Sequence, residues 1–228
     1  MPPIPHIIHQ IWMNPEENGI ESSPPDRIQM FMNEWKQHHP EYRHILWNGN
    51  TMRNYMKKEF PGWIDCYDKF PSWIHRCDAF RFFILWKMGG VYVDADTHCK
   101  GSLDKYLGKK DGLVMITRKT ENKNKDFDLT NCFMASSPKH PFYQKCIEGL
   151  KNSHSVNIFQ STGPTYLTNM YHQYNNIETI RESELPIEHL ADNTWFKTQA
   201  ALYIRQYYWY IFIIIIIVAI GLSIAFQY

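Results

Sequence analysis

Little in this sequence is lopsided. It carries 24 lysines and arginines against 23 acidic residues, a formal charge of +1 over 228 residues. That balance leaves no electrostatic footprint for nucleic acid. Five cysteines (Cys66, Cys77, Cys99, Cys132, Cys146) are scattered and odd in number, with no C-x-x-C pair and no Cys/His cluster at zinc-binding spacing. Nothing therefore supports a disulfide framework or a zinc module, and Cys77 reads as a small buried residue. No internal repeat and no N-x-S/T sequon is present; the second absence favours a cytosolic domain. The most pointed lack is at the end of the chain, where no charge occurs from Gln206 to Tyr228.

That uncharged stretch contains W-Y-I-F-I-I-I-I-I-V-A-I-G-L-S-I-A-F, from Trp209 to Phe226. A helix needs roughly 17–25 apolar residues to cross a bilayer, and this run supplies them with no polar face. Tyr203, Tyr207, Tyr208, Trp209 and Tyr210 form an aromatic belt at one interface. Lys197 and Arg205 precede the run and nothing basic follows it, so charge places the preceding domain on the cytoplasmic side. The predicted organisation is a folded domain over 1–198, a juxtamembrane aromatic linker over 199–208 and a transmembrane helix over 209–226, a single-pass C-terminal anchor.

Upstream, apolar periodicity switches between strand and helix. Ile7 to Trp12 reads as an inner strand, apolar on both faces. Asn14 to Pro25 reads as a loop. Asp26 to His38 follows as a helix with Ile28, Phe31, Met32 and Trp35 on one face. His38 and His39 read as polar helix-end residues. Tyr42 to Trp47 is predicted as a strand, Asn48-Gly49-Asn50 as a turn, and Thr51 to Phe60 and Trp63 to Phe70 as short helices. Further strands fall at Leu113 to Thr117 and Asn131 to Ser136, a charged loop at Lys119 to Asp128, and a helix at Pro141 to Leu150. The alternation predicts an α/β fold with a mostly parallel central sheet. In such sheets ligands bind beyond the carboxyl ends of the strands, where Trp12 and Asp94 both fall.

The chemistry concentrates between Arg76 and Leu107. Trp73, Ile74, Cys77, Phe80, Ile84 and Met88 recur at helical spacing, which predicts a helix with one buried face. Gly89 suits its C-terminal stop. Val91-Tyr92-Val93 is then a short strand, followed by Asp94 and Asp96. If the strand continues through Asp96, both carboxylates point to one side. At roughly 5–6 Å and an effective dielectric near 20, their repulsion is about 3 kcal/mol. A hard divalent cation, Mn2+ or Mg2+, reverses the sign of that term and keeps positions open for substrate phosphates. Asp78 and Arg81, three apart on the helix, share a face.

These residues resemble the glycosyltransferases that carry a D-x-D sugar-binding region, a group that includes yeast-type α-mannosyltransferases and glycosyltransferase toxins. The shared pattern is D-x-x-R followed by G-G-x-Y-x-D-x-D, here Asp78-Ala-Phe-Arg81 and Gly89-Gly90-Val-Tyr92-Val-Asp94-Ala-Asp96. Ile4 to Trp12 and His39 to Trp47 resemble the family's first two strands. Asn131 to Phe142 and Ser161 to Thr168 also match. Cys99 to Leu107 is most similar to the enzymes that mannosylate inositol phosphoceramide. His189 to Trp195 resembles an H-x-x-x-S-W element that closes over diphosphate and metal, with one extra residue and Thr194 in place of serine.

The resemblance implies the GT-A nucleotide-sugar fold and retention of anomeric configuration. It implies that Asp96, Asp94 and His189 hold the metal, and that Asp94, Asp96 and Arg81 are catalytic. It further implies that Trp12, Asp78, Arg81, Asp94, Asn193 and Trp195 bind the donor, with Asn131 and Thr162-Gly163-Pro164 toward the acceptor. The expected reaction moves mannose from GDP-mannose to a lipid or glycan acceptor of the inositol phosphoceramide type. A UDP-hexose-dependent galactosyl- or glucosyltransferase is the alternative donor reading, and an inactive membrane-anchored carbohydrate-binding protein the alternative class. Relatives of this kind work in the Golgi lumen, which opposes the cytoplasmic placement read from charge.

Overall fold

The computed structural model describes residues 1–13, 23–108, 112–119, 127–153, 155–174, 177–190 and 195–225. The expected loop Asn14 to Pro25 and the charged loop after Lys119 lie largely outside them. The chain divides into two compact units, Met1–Asp192 and Asn193–Tyr228.

The first unit is built on a six-stranded sheet. In chain order its strands are β1 (Ile7–Ile11), β2 (Arg43–Trp47), β3 (Gly90–Val93), β5 (Leu113–Lys119), β6 (Phe127–Ser136) and β7 (Thr179–Arg181), arranged β2-β1-β3-β6-β5-β7. The pairs β1–β2, β1–β3 and β5–β7 are parallel, and β6 runs antiparallel to both β3 and β5. The sheet is mixed, with parallel pairings in the majority. A separate ribbon pairs β4 (Thr97–Cys99) with β8 (Ile187–His189), antiparallel. The sequence reading foresees neither β7 nor this ribbon.

Alternation along the strands explains why they read as continuous apolar runs. Tyr92, Met115 and Met134 join a core with Phe80, Phe82, Ile84, Tyr143 and Leu167. Their neighbours Val91, Val93, Val114, Ile116, Phe133 and Ala135 join the opposite core with Trp35, Leu103 and Ile187. Both faces are covered, so neither can be polar.

Helix α4 (Trp73–Met88) does not have the single buried face its spacing predicts. Every residue from Cys77 to Leu85 is buried, together with His75, whereas Trp73 and Met88 are only partly covered. It packs against β3, β6, α3 (Ile64–Asp68), α6 (Pro141–Gly149) and α7 (Ile158–Ser161), and enclosure from several directions removes the polar face. It ends as expected at Gly89 and Gly90, with φ of 67° and 93°. A Cβ at Gly90 would lie 2.6 Å from the Ile7 carbonyl oxygen, and one at Gly89 would lie 2.7 Å from that of Ser136. Only glycine lets the chain turn here against β1 and β6. His9, fully buried, bonds Gly89 O through Nε2 at 3.0 Å and accepts from Trp47 Nε1 on Nδ1 at 3.2 Å. Burial pushes its pKa down to about 4, so the ring stays neutral and pins this corner.

Helix α1 (Asp26–His38) buries Ile28, Phe31, Met32 and Trp35 as its spacing predicts. The Asn48-Gly49-Asn50 turn is instead the start of α2 (Gly49–Glu59): Asn48 and Thr51 exchange side chain-to-backbone bonds in a capping box, both at 2.8 Å. His39 is not a simple helix-end residue. It is 2% exposed, with Nδ1 3.2 Å from Trp35 O and Nε2 accepting from Leu103 N at 3.0 Å.

The first unit also holds α5 (Asp104–Leu107) and α8 (Pro164–His172), and among the described residues the second unit is a single helix, α9 (Trp195–Ala225). The 199–208 stretch is helical and continuous with the apolar run. Lys197–Val218 is long and apolar enough to cross a bilayer, with a mean hydropathy of 1.7. Ile213 to Val218 are all exposed, unlike the core helix of a soluble protein.

Candidate active site

Strand β3 stops at Val93, and the two aspartates do not continue it. Asp94 still donates its backbone N–H to Cys132 O of β6 at 2.8 Å. The chain then turns, with Thr97 N donating to Asp94 O at 3.2 Å. Ala95, between the acids, is 6% exposed and packs with Ile28, Phe31 and Met32 of α1, against which Trp12 and Leu190 also rest. A turn replaces the alternation expected of a strand, yet the two carboxylates still converge.

They converge on His189. The register of the β4–β8 ribbon sets His189 opposite Thr97, and Leu190 N donates to Asp96 O at 3.3 Å. His189 Nε2 thereby lies 3.3 Å from Asp96 Oδ1 and 3.7 Å from Asp94 Oδ2. One ligand atom from each of Asp94, Asp96 and His189 lies within 4.8 Å of the others. Two oxygens and an imidazole nitrogen, all partly exposed, suit a divalent cation that keeps open positions.

Behind them sits a buried charge network. Arg81 Nη2 is 3.0 Å from Asp78 Oδ1 and 3.2 Å from Asp94 Oδ1, and Nη1 donates to Asn131 O at 2.7 Å. Its guanidinium lies 4.5 Å from the centre of the Tyr92 ring, whose hydroxyl donates to Asp94 Oδ1 at 2.6 Å. Asn131 Nδ2 donates to Asp78 Oδ1 at 3.0 Å. Asp78 and Arg81 are 4% and 9% exposed, so this is no surface ion pair. Burial pushes the Asp78 carboxyl up to about 6, opposed by Arg81 and reinforced by Asp94. Burial also opposes the charge on Arg81, but Asp94, Tyr92 and Asp78 together raise its pKa. Asn131 thus belongs with the Asp78–Arg81 pair. Of the expected acceptor group, Gly163 lies nearby: a Cβ there would be 3.3 Å from Asp78 Oδ2.

Asp78, Asp94 and Asp96 outnumber the single arginine among them. His189 registers the imbalance. Burial would lower its pKa, but hydrogen bonds to Asp96 and Cys132 and the charge of Asp94 drive it up to about 10. A histidine held protonated at neutral pH stands where the site calls for positive charge, and a metal ion fits that demand.

Among the other expected donor residues, Trp12 follows β1 and is half-buried, its Nε1 enclosed without a partner among the described residues. Asn193 lies outside the described residues, as does the side chain of Trp195. Two site neighbours escape sequence reasoning. Between Met115 and Ile116 the β5–β6 register slips, from Met134 to Thr130, and residues 131–133 are left over. That irregularity brings Asn131 and Cys132 to the site, the usual service of a bulge beside functional residues. Glu182 arrives from the turn after β7, and its ligand atom falls within 4.8 Å of those of Cys132 and His189.

Residues 25–113 match the family described as a glycosyltransferase sugar-binding region containing a DXD motif. Over that stretch the chain carries the sugar-binding region of the DXD glycosyltransferases. It is 32% identical over 177 residues to mannosyl phosphorylinositol ceramide synthase SUR1 of Saccharomyces cerevisiae, covering 75% of this chain and 42% of that protein. It is 31% identical over 180 residues to inositol phosphoceramide mannosyltransferase 2 of Schizosaccharomyces pombe, covering 76% and 48% respectively. The chain therefore spans about half the length of these relatives. Among solved structures it resembles the PaToxG glycosyltransferase, with a TM-score of 0.51 at 17% identity over 75% of this chain and 70% of that one. That likeness bears on the fold alone, and the fold is the expected GT-A type.

Proposed function

We propose that this chain is a metal-dependent hexosyltransferase that moves mannose from GDP-mannose to the headgroup of an inositol phosphoceramide-type lipid, with retention. The observation that carries the reading is the convergence of Asp94, Asp96 and His189 beside the buried Arg81. The relatives' named activities support the donor sugar and the lipid acceptor.

Asp96 and His189 would hold the cation, with Asp94 as third ligand or as a contact to donor hydroxyls. When bound, Mn2+ or Mg2+ neutralises charge on the departing diphosphate. Arg81 and the Tyr92 hydroxyl both engage Asp94 Oδ1 and fix its direction. Asp78 and Asn131 in turn fix Arg81, so the constellation is preorganised before the donor arrives. No side chain among the described residues is assigned as nucleophile. The acceptor hydroxyl attacks from the face on which the diphosphate leaves and gives its proton to that diphosphate, which retains configuration. Trp12, beside Ala95, offers a ring to the nucleotide base.

Helix α9 anchors the enzyme in a membrane, which suits a lipid acceptor. Lys197 and Arg205 at its start orient the first unit toward the cytoplasm. The test is donor turnover: the purified chain releases GDP from GDP-mannose only with a divalent cation. Release of UDP from a UDP-hexose in its place reassigns the donor. Failure to bind any sugar nucleotide in the presence of Mn2+ overturns the enzymatic reading.

A further inference from the structure

His189 belongs to two sets of candidate ligands. One is the pair of aspartates. The other is Cys132 and Glu182, whose ligand atoms and that of His189 lie within 4.8 Å of one another. The second set is assembled by separate devices. Cys132 sits in the stretch of β6 left over by the register slip, is 1% exposed, and its Sγ accepts from Thr130 Oγ1 at 3.0 Å. Glu182 is held by Arg118, whose Nε and Nη2 donate to its two oxygens at 2.6 and 2.7 Å. Each carboxylate oxygen has a second lone pair left for an ion. A cavity of about 1170 Å³, bordered by Arg118, Glu182, Ser183 and His189, opens two of the three ligands to solvent, with Cys132 buried behind them.

The donor chemistry of the two sets differs. Asp94, Asp96 and His189 offer mainly hard oxygen. Sulfur, nitrogen and oxygen from Cys132, His189 and Glu182 are the ligand types of zinc, and three protein ligands leave a fourth position open. A thiolate discriminates strongly against Mg2+ and Mn2+ in favour of Zn2+, Co2+ or Cd2+. We propose that Cys132, Glu182 and His189 form a site for a thiophilic divalent cation, Zn2+, that takes His189 away from the aspartate pair and thereby inhibits the enzyme. Binding needs the Cys132 thiol and the His189 imidazolium each to lose a proton, and both protons pass to solvent. The inhibitory half rests on the function proposed above, whereas the metal site itself does not.

The test uses the purified full chain in detergent, freed of metal and titrated with Co2+ alone. The expected result is one equivalent bound, with a near-ultraviolet thiolate-to-cobalt charge-transfer band that Zn2+ displaces. Cys132→Ser abolishes the band, Glu182→Gln weakens cobalt binding at least tenfold, and Asp96→Asn keeps the band, each with an unchanged circular dichroism spectrum. A folded wild type without the band, or a band that survives Cys132→Ser, overturns the site. One equivalent of Zn2+ lowers Mn2+-dependent turnover of the sugar nucleotide at least tenfold in the wild type. In Cys132→Ser it has no such effect relative to that variant's own Mn2+ rate. A cobalt band without zinc inhibition overturns the competition for His189. An intact band in a chain that turns over no sugar nucleotide refutes the proposed activity and upholds the metal site.

Discussion

At Arg81 one guanidinium stands between two carboxylates, 3.0 Å from Asp78 and 3.2 Å from Asp94, with a tenth of its side chain exposed. Removing it leaves Asp78 and Asp94 facing each other with no cation between them. Arg81→Met is expected to destabilise the fold by about 3–5 kcal/mol, the usual consequence of breaking a buried ion pair from one side, read from urea denaturation. Asp96→Ala behaves oppositely: it removes a partly exposed acid from a site already rich in negative charge. The fold should hold while donor turnover drops by about 10²–10³-fold or more; near-normal Mn2+-dependent turnover in that variant would defeat the role given to Asp96. His189 supplies a third prediction. Its folded pKa of about 10 lies above its ordinary 6.5. In metal-free protein its contribution to stability is full below about pH 6.5 and is lost as pH rises toward 10. A bound metal displaces its proton, so Mn2+ binding at pH 8 should release close to one proton. Calorimetry in buffers of different ionisation enthalpy counts it, and His189→Ala should release none.

The elements show why some of this was legible and some was not. Asp78, Arg81, Gly89, Gly90, Asp94 and Asp96 lie within one helix–turn–strand unit, and local spacing was enough to single them out. Gly90 tests that unit. Its positive φ and the 2.6 Å approach to Ile7 O make Gly90→Ala unfavourable. The backbone strain alone costs about 1–3 kcal/mol, to be seen as a lowered denaturation midpoint at constant slope. The arrival of His189 depends on the β4–β8 register, and that of Cys132 on a slip between β5 and β6. Both are long-range pairings with no local signal of their own. The resemblance singled out His189 as a ligand, whereas nothing in the sequence pointed to Cys132. The burial of α4 all round was hidden for a related reason: period analysis sees one helix, not the several elements packed around it. Asp94 and Asp96 were expected to align by strand alternation and instead meet across a turn, because Ala95 is drawn into the cluster under α1.

For the whole molecule, a near-balanced overall charge and a terminal helix with no charge after Arg205 direct attention to the bilayer rather than to a charged partner. The full chain should remain with membranes after an alkaline carbonate wash. Placing aspartates at both Ile214 and Ile217 costs about 2.5–3.5 kcal/mol each at a bilayer centre, and the doubly substituted chain should appear in the soluble fraction. At this scale the central claim is that a divalent ion held by Asp94, Asp96 and His189 presents a sugar nucleotide for transfer. The most direct measurement is GDP release from GDP-mannose by the purified chain, stripped with EDTA and then resupplied with Mn2+. Release should vanish on stripping, return with Mn2+, and stay absent in Asp96→Ala. Release that ignores EDTA and proceeds equally in Asp96→Ala would contradict the claim.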